Sequence, residues 1–325
     1  MAWQGGLTPL SRTIDAKSYP PLLRQATSRS KLDSAVVFDS LPCSDTPERL
    51  PIYLVHWQAP EWCARAAASL LASQEIEVDL TVVDNGSRAE QPNLGNLVPD
   101  GTRVLEAAAN LGYAGGVNLA FEDWLTTRAD DYCLIGSHDL QVAPETLATL
   151  LATARKYPSF GILAPELDWR RPASCDDTAA GPQPVGWVSG TAMLIGRRCA
   201  LDVGRFDELF SSYVEDVDYC WRARYAGWSV GFVPGARAYE LGSASPRARE
   251  YIAANRILLE RKHHGTRGLC GALVALGRRL GRHIVGGWAW WRSPAERSTS
   301  RSAAAEDCRA LRLAARRLRA FSESA

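Results

Sequence analysis

The pattern of apolar and polar positions changes character at Leu50. Residues 1–49 are rich in Ser, Pro, Thr and charge, hold one short apolar run at 35–38, and read as an N-terminal extension to which no chemistry attaches. Residues 51–57 (PIYLVHW) are apolar and β-prone, which predicts a buried strand, and the Ala/Leu-rich stretch 61–73 predicts a helix behind it. The same alternation continues down the chain. Residues 78–83 (VDLTVV) predict a second buried strand that stops at the turn Asp84, Asn85, Gly86, Ser87. A short strand at 103–106, a helix at about 115–128, a strand at 132–136 and a helix at 144–157 follow. After a Pro/Asp-rich stretch at 165–184, apolar segments return at 185–195, and an acidic turn at 214–218 leads into a helix at 218–226. Two short strands at 229–233 and 236–239, a helix at 247–264 and a basic tail complete the pattern.

Strands that alternate with helices across short turns imply right-handed βαβ units, so the predicted fold is α/β with a Rossmann-like, mainly parallel sheet flanked by helices. In such sheets ligands bind beyond the carboxyl ends of the strands, near a switch in strand order. That directs attention to the polar turns at 84–87, 110–118 and 137–139.

Composition changes this picture little, and charge changes it more. Hydrophobic residues at 46% and charged ones at 22% fit a folded globular protein and exclude disordered and collagen-like classes. No apolar run approaches the ~18 residues that span a bilayer. No basic stretch followed by an apolar one opens the chain, so a cytoplasmic protein is expected. Eight cysteines without a C-x-x-C pair predict buried or free thiols, with neither a disulfide framework nor a zinc site. The net charge of +1 conceals a split: residues 247–325 hold 17 basic and 6 acidic residues, a net of +11, and residues 1–246 hold 20 basic and 30 acidic, a net of −10. Such asymmetry suits a tail that meets an anionic surface.

The polar turns carry the candidate chemistry. Asp84 closes a buried strand, where a carboxylate accepts hydrogen bonds from a nucleobase or ribose, or else caps its own turn. In NLGYAGGVN at 110–118, the glycines let backbone approach a ligand and the following helix offers N–H groups to an anion. The alternative is a tight loop without ligand. The spacing matches neither the dinucleotide nor the P-loop pattern. Asp139 follows the strand YCLIG, and a carboxylate at a sheet edge suits a hard divalent cation that binds together with substrate phosphates. Glu215, Asp216 and Asp218 place three carboxylates before a helix; electrostatics alone favours them there, and like-charge crowding also raises one proton affinity toward that of a general base. His56, Lys262, His263 and His264 read as structural.

The order of these motifs is more specific than any one of them. Residues 51–87, 110–118, 132–140, 189–196 (SGTAMLIG) and 203–224 (VGRFDELFSSYVEDVDYCWRAR) together resemble family 2 glycosyltransferases, most closely the bacterial rhamnosyltransferase-like group, over about two thirds of the chain. The resemblance implies a GT-A fold divided into an extension at 1–49, a glycosyltransferase domain at 50–264 and a basic helical C-terminal region at 265–325. It implies inverting transfer of a hexosyl or deoxyhexosyl unit from a nucleotide-diphosphate sugar to an acceptor hydroxyl on a glycan, a lipid-linked intermediate or a small molecule.

Carried over by position, the resemblance puts Asp84 on the nucleotide and Asn110, Gly112, Gly115, Gly116 and Asn118 in the nucleotide-sugar loop. Gly190 and Glu215 border donor and acceptor, and Asp216 is the catalytic base. Asp139 is the last acidic residue of a metal motif for Mg²⁺ or Mn²⁺. Two departures stand out: Ser137 occupies a position often acidic in relatives, and Glu240 one often held by His, so Glu240 is a second candidate oxygen ligand. Both departures also suit the alternative of a catalytically inactive GT-A binding or scaffold protein. A nucleotidyltransferase lacks support, because 110–118 holds no Lys or Arg to brace a triphosphate.

The basic tail then takes on two readings. Leu311, Ala315, Leu318 and Phe321 recur at helical spacing among Arg309, Arg312, Arg316, Arg317 and Arg319, and Trp288, Trp290 and Trp291 lie near Arg282 and Arg292. Such a helix lies on an anionic membrane, making the protein peripheral on the inner face, or packs its apolar stripe on the body. No recognition motif for nucleic acid accompanies the charge.

Overall fold

The structure, a computed structural model, describes residues 48–87, 94–167, 181–242, 245, 247–288 and 293–324. Residues 1–47 of the extension, Cys43, Cys175, Trp290, Trp291 and Arg292 lie outside them, as does the side chain of Trp288.

Strand β1 (Glu48–His56) pairs in parallel with β2 (Ile76–Asp84), which pairs in parallel with β3 (Arg103–Glu106). On its other side β1 takes β4 (Tyr132–Ser137), again parallel. Beyond β4 the sheet becomes mixed: β8 (Ala192–Gly196) runs antiparallel to β4 and to β6 (Phe160–Leu167), and β9 (Ser229–Glu240) runs parallel to β6. Short strands β5 (Leu140–Val142) and β7 (Gln183–Pro184) add antiparallel to β9. The strand order is β3-β2-β1-β4-β8-β6-β9-β5. The two strands expected at 229–233 and 236–239 are one strand, because its register against β6 jumps at Pro165/Glu166 and absorbs the Pro234-Gly235 step as a bulge.

Successive strand residues point to opposite faces, and helices cover both. Ile52, Leu54, Leu80 and Val82 pack under α1 (Pro60–Leu71) and α3 (Thr146–Lys156) with Ala66, Leu70, Leu147 and Leu150. Tyr53, Val55 and Val83 pack on the other side under α2 (Gly112–Thr127), α4 (Arg197–Val203) and α5 (Glu215–Tyr225), with Phe121, Trp124, Cys199 and Tyr219. A strand buried on both faces has no polar alternation, which is why PIYLVHW is a continuous apolar run.

Two long helices close the chain. Helix α6 (Ala248–Trp288) breaks at Gly265, whose φ of 65° and ψ of −148° no helix accommodates. Helix α7 (Pro294–Ser324) packs against both segments of α6 through Ala254, Ile257, Leu276, Leu311 and Ala314. Asp307 of α7 bolts the pair together by accepting from Arg279 and His283. Packing on the body is therefore what the apolar stripe of α7 does: Leu318 and Phe321 join Phe210, Leu258 and Trp221. The stripe is also offset from the expected one, since Ala315 is exposed while Ala314 and Arg317 are buried. No described helix is long and apolar enough to cross a membrane.

Candidate active site

The parallel strands deliver their carboxyl ends to one edge of the sheet. There His56 stands beside Asp84 in register, and Ser137 beside Val55. Asp84 Oδ1 accepts the Ser87 N–H at 3.1 Å, so this carboxylate does hold its own turn. The neighbouring Asn85 is buried and links two motifs, accepting from Leu111 N at 3.0 Å and donating to the Gly112 carbonyl at 2.9 Å. Asn110 Oδ1 accepts from Gly112 N at 2.8 Å, which closes the loop onto itself.

The glycine-rich stretch is more helical than its sequence suggests. Helix α2 starts at Gly112, so Gly115, Gly116 and Asn118 lie inside it and are buried. Its first N–H groups are already satisfied within the chain: Tyr113 N donates to Ser212 Oγ at 3.0 Å and Ala114 N to the Ser211 carbonyl at 2.9 Å. The expectation of a helix end open to an anion is thereby corrected. Gly112 has φ +74°, and an added Cβ would lie 2.4 Å from Ser211 Oγ, so this position needs glycine for both conformation and space. Asn118 is a structural amide whose Nδ2 donates to Phe206 O at 3.0 Å and to Glu208 Oε1 at 2.8 Å, while its Oδ1 accepts from Phe206 N at 2.9 Å. Its contribution to the loop is to pin the 206–208 segment.

That segment continues into a strained turn. Ser211, Tyr213 and Val214 all have positive φ (60°, 68° and 73°), and Val214 is β-branched, a combination that persists only when the surroundings over-determine it. The surroundings do so. Asn255 of α6, fully buried, donates to the carbonyls of Phe210, Ser212 and Tyr213, and Arg317 of α7 donates to Phe210 O at 2.6 Å. Immediately after the turn, α5 begins with Glu215 and Asp216.

Asp216 is only partly buried. Its Oδ2 accepts from Gly190 N at 2.9 Å and its Oδ1 from Val217 N at 2.8 Å, an arrangement that aims the carboxylate between the Gly190 loop and α5. Burial pushes its proton affinity above the ordinary carboxylate range, although these N–H groups pull the other way. Glu215 is buried, its Oε2 has no partner among the described residues, and burial and then Asp216 raise its pKa well above the usual value. Asp218 belongs to a different environment. It is fully buried but accepts from His263 and Lys262 at 2.8 Å and from Arg222 at 2.9 Å; burial opposes ionisation, yet these partners bring its pKa down to about 2. The acidic cluster thus divides into a proton-avid pair and a structural ion pair.

Asp139 and Glu240 come together at the β5–β9 end of the sheet, where Leu140 pairs with Glu240 and Leu241 N donates to the Asp139 carbonyl at 2.8 Å. Ser137 Oγ donates to Asp139, and Thr191 Oγ1 donates to Glu240. Glu240 is exposed as a residue, but loss of hydration around its carboxylate, then the like charges of Asp139 and Asp216, raises its pKa. Among the described residues no group of three or more His, Cys, Asp and Glu side chains forms a ready-made metal cage. A pair of close carboxylates is nevertheless the donor set with which Mg²⁺ or Mn²⁺ binds when substrate phosphates supply the remaining oxygens. The mutual repulsion of the pair is what a cation would relieve.

Tyr113 ties these groups into one site. Its hydroxyl donates to the Gly190 carbonyl at 2.5 Å, and burial, followed by Glu215, Asp216, Asp139 and Glu240, pushes its pKa far up. The sequence assigns no role in the site to Tyr113, Thr191, Asn85, Asn255 or Arg317. Tyr113 and Thr191 stand inside motifs already singled out; Asn255 and Arg317 leave no local signal, because they act from 40 and 100 residues or so away in the chain. The cleft of about 720 Å³ lined by Arg49, Asp79, Arg103 and Arg128 opens at the amino ends of the strands, away from this site, and its arginines are committed to Asp79 and Asp123.

No protein-family model matches the chain. It is 27% identical over 266 residues to the N-acetylglucosaminyl-diphospho-decaprenol L-rhamnosyltransferase of Mycobacterium tuberculosis, covering 66% of this chain and 85% of that protein. It is 24% identical over 173 residues to the low-salt glycan biosynthesis hexosyltransferase Agl10 of Haloferax volcanii, covering 47% of this chain and 55% of that protein. Its fold matches the mannosyltransferase PcManGT from Pyrobaculum calidifontis, solved with GDP-Man and Mn²⁺, with a TM-score of 0.54 at 15% identity over 85% of this chain and 90% of the other. A mixed α/β sheet with its carboxylates at the carboxyl edge, the GT-A fold and these relatives define a glycosyltransferase. Within that class the chain is similar to family 2 proteins of the rhamnosyltransferase-like kind.

Proposed function

We propose that this glycosyltransferase moves a hexosyl or deoxyhexosyl unit from a nucleoside-diphosphate sugar to an acceptor hydroxyl with inversion, Asp216 acting as general base. The observation that carries the reading is the environment of Asp216: an oriented, partly open carboxylate of raised proton affinity, beside the Gly190 loop and near the Asp139–Glu240 pair. A hydroxyl is a poor nucleophile, and a positioned base contributes ~10²–10⁴-fold to its attack. The acceptor oxygen bonds to the anomeric carbon from the face opposite the leaving group, its proton passes to an Asp216 oxygen, and the bond from the anomeric carbon to the diphosphate oxygen breaks with its electrons.

The remaining residues hold the two substrates. Asp84 and the Asn110–Gly112 turn are the proposed contacts for the nucleoside part, with Asn85 fixing the turn's position. Gly115, Gly116 and Asn118 support that turn from within α2, and Gly190 and Glu215 border donor and acceptor. Asp139 and Glu240 would hold Mg²⁺ or Mn²⁺, which when bound supplies positive charge to the departing diphosphate. The name of the mycobacterial relative points to a deoxyhexose donor and a lipid-diphosphate acceptor, and the basic C-terminal helices would bring the enzyme to an anionic membrane surface where such an acceptor resides.

Incubation with a panel of UDP-, dTDP- and GDP-sugars, Mg²⁺ or Mn²⁺ and lipid-linked or soluble acceptors, with release of nucleoside diphosphate as readout, tests the reading. Binding of a sugar nucleotide with no release under any condition would leave an inactive binding protein on this fold.

A further inference from the structure

We propose that the outward face of the second segment of α6, residues 266–285, is a docking surface for an anionic phospholipid bilayer. Four of the large hydrophobic side chains most exposed on the described surface fall within 13 residues of this segment: Leu273 (40%), Val274 (52%), Ile284 (47%) and Val285 (63%). Helical geometry, at ~3.6 residues per turn, gathers them with Cys270, Gly277 and Gly281 into one arc of about a third of the circumference. The opposite arc, with Leu269, Ala272 and Leu276, packs on α7. A Cβ built at Gly277 or Gly281 meets nothing within 4 Å, so among the described residues this arc is uncovered.

The charge along this arc identifies the occupant. Arg267, Arg278 and Arg282 are exposed and border the stripe on the Val274–Val285 side. Within 266–285 the chain has four Arg residues and no Asp or Glu, and of the four, Arg279 is the one paired with Asp307 of α7. An apolar arc edged with arginines, on a helix too polar to span, lies in the plane of a membrane interface and favours anionic headgroups. The inference replaces α7, whose apolar side is used in packing, with α6 as the lipid-facing element. It rests on the reading above for its purpose, since the same helix that carries the arc also carries Asn255 and so anchors the turn ahead of Glu215 and Asp216.

The test is co-sedimentation of the full chain with vesicles of phosphatidylcholine alone and of phosphatidylcholine with about one third phosphatidylglycerol, at low and physiological salt. Partition is expected on the anionic vesicles and weakens with salt. The double variant Leu273→Glu/Ile284→Glu should lose roughly tenfold or more, because two exposed aliphatic side chains that would enter the lipid are replaced. Arg278→Gln/Arg282→Gln should lose about fivefold per arginine on anionic vesicles only. Val274→Ser/Val285→Ser repeats the first test with a milder change should the glutamates disturb folding by circular dichroism. Unchanged sedimentation of the apolar variants, or a full chain that stays in the supernatant with both vesicles at low salt, overturns the proposal. So does a concentration-dependent self-association that the glutamates abolish while vesicles are ignored, since that assigns the arc to a second copy. Release of nucleoside diphosphate with a soluble acceptor, measured on the same samples, separates the two readings: transfer without vesicle binding fails the docking surface alone, and vesicle binding without transfer fails the enzymatic reading alone.

Discussion

Two aspartates separated by one residue, Asp216 and Asp218, hold opposite proton affinities: burial outweighs the N–H donors at Asp216, whereas hydrogen bonds and charge from His263, Lys262 and Arg222 outweigh it at Asp218. The difference sets their roles. Asp216→Asn keeps the shape and removes the base, so turnover is expected to fall ~10²–10⁴-fold while the affinity for sugar nucleotide, measured by calorimetry, stays within a few-fold. A variant with full turnover would rule Asp216 out as the base. Asp218→Asn is expected to act on stability instead. A folded pKa of about 2 against an ordinary 3.8 means that the unfolded chain takes up the proton first, so this carboxylate contributes on the order of 2 kcal/mol above pH 3.8 and loses it as pH falls toward 2. Denaturant titrations should therefore show the native protein losing more stability than Asp218→Asn between about pH 4 and 2. Glu215 runs the other way: its raised pKa disfavours the folded state once pH exceeds the ordinary 4.5, so Glu215→Gln should unfold at a higher temperature than the native protein at pH 7, with the gap closing toward pH 4.5 and below.

At the scale of elements, the turn at 211–214 is where the site is assembled. It caps α2 through Ser211 and Ser212, opens α5, and is held by Asn255 and Arg317 from the C-terminal helices. Because the turn is strained, its geometry depends on those donors. Asn255→Leu removes one buried amide that serves three carbonyls, and a loss of about 1–3 kcal/mol in unfolding free energy is expected, with kcat reduced more than KM for the donor. Gly112→Ala should be as damaging, since a left-handed φ costs ~1 kcal/mol or more for a residue with a Cβ and that Cβ also meets Ser211. Equal kcat in wild type and Asn255→Leu would show that the turn needs no clamp.

For the whole molecule, the charge split resolves into two structural parts that touch. The acidic part holds the sheet and its carboxylates; the basic part is the α6–α7 pair, which buries Arg317 against Phe210 and seats Leu318 and Phe321 beside α5. A chain ending near Gly265 therefore loses the α7 side of the clamp as well as the basic surface, and lower melting temperature together with lower turnover is expected. Arg317→Met isolates the clamp from the charge: it should reproduce the fall in turnover while vesicle sedimentation stays as in the full chain.

The strands and helices of the sheet were legible because burial on both faces writes itself as continuous apolar runs, and turns after strands write themselves as Asp, Asn, Gly and Ser. The motif order from Pro51 to Arg224 likewise made the GT-A class readable without coordinates. Local pattern could not reveal pairings across the chain. Nothing near Asn255 or Arg317 announces that their donors end on Phe210, and nothing near Asp218 announces Lys262 and His263. It also could not assign the two faces of a basic amphipathic helix. The periodicity of α7 was read from sequence, but whether that stripe meets lipid or protein depended on what else competes for it, and Phe210, Leu258 and Trp221 do. Hydrophobic periodicity says that a face will be covered; only the three-dimensional arrangement says by what, because burial is a property of the surface that arrives there and not of the helix that carries it.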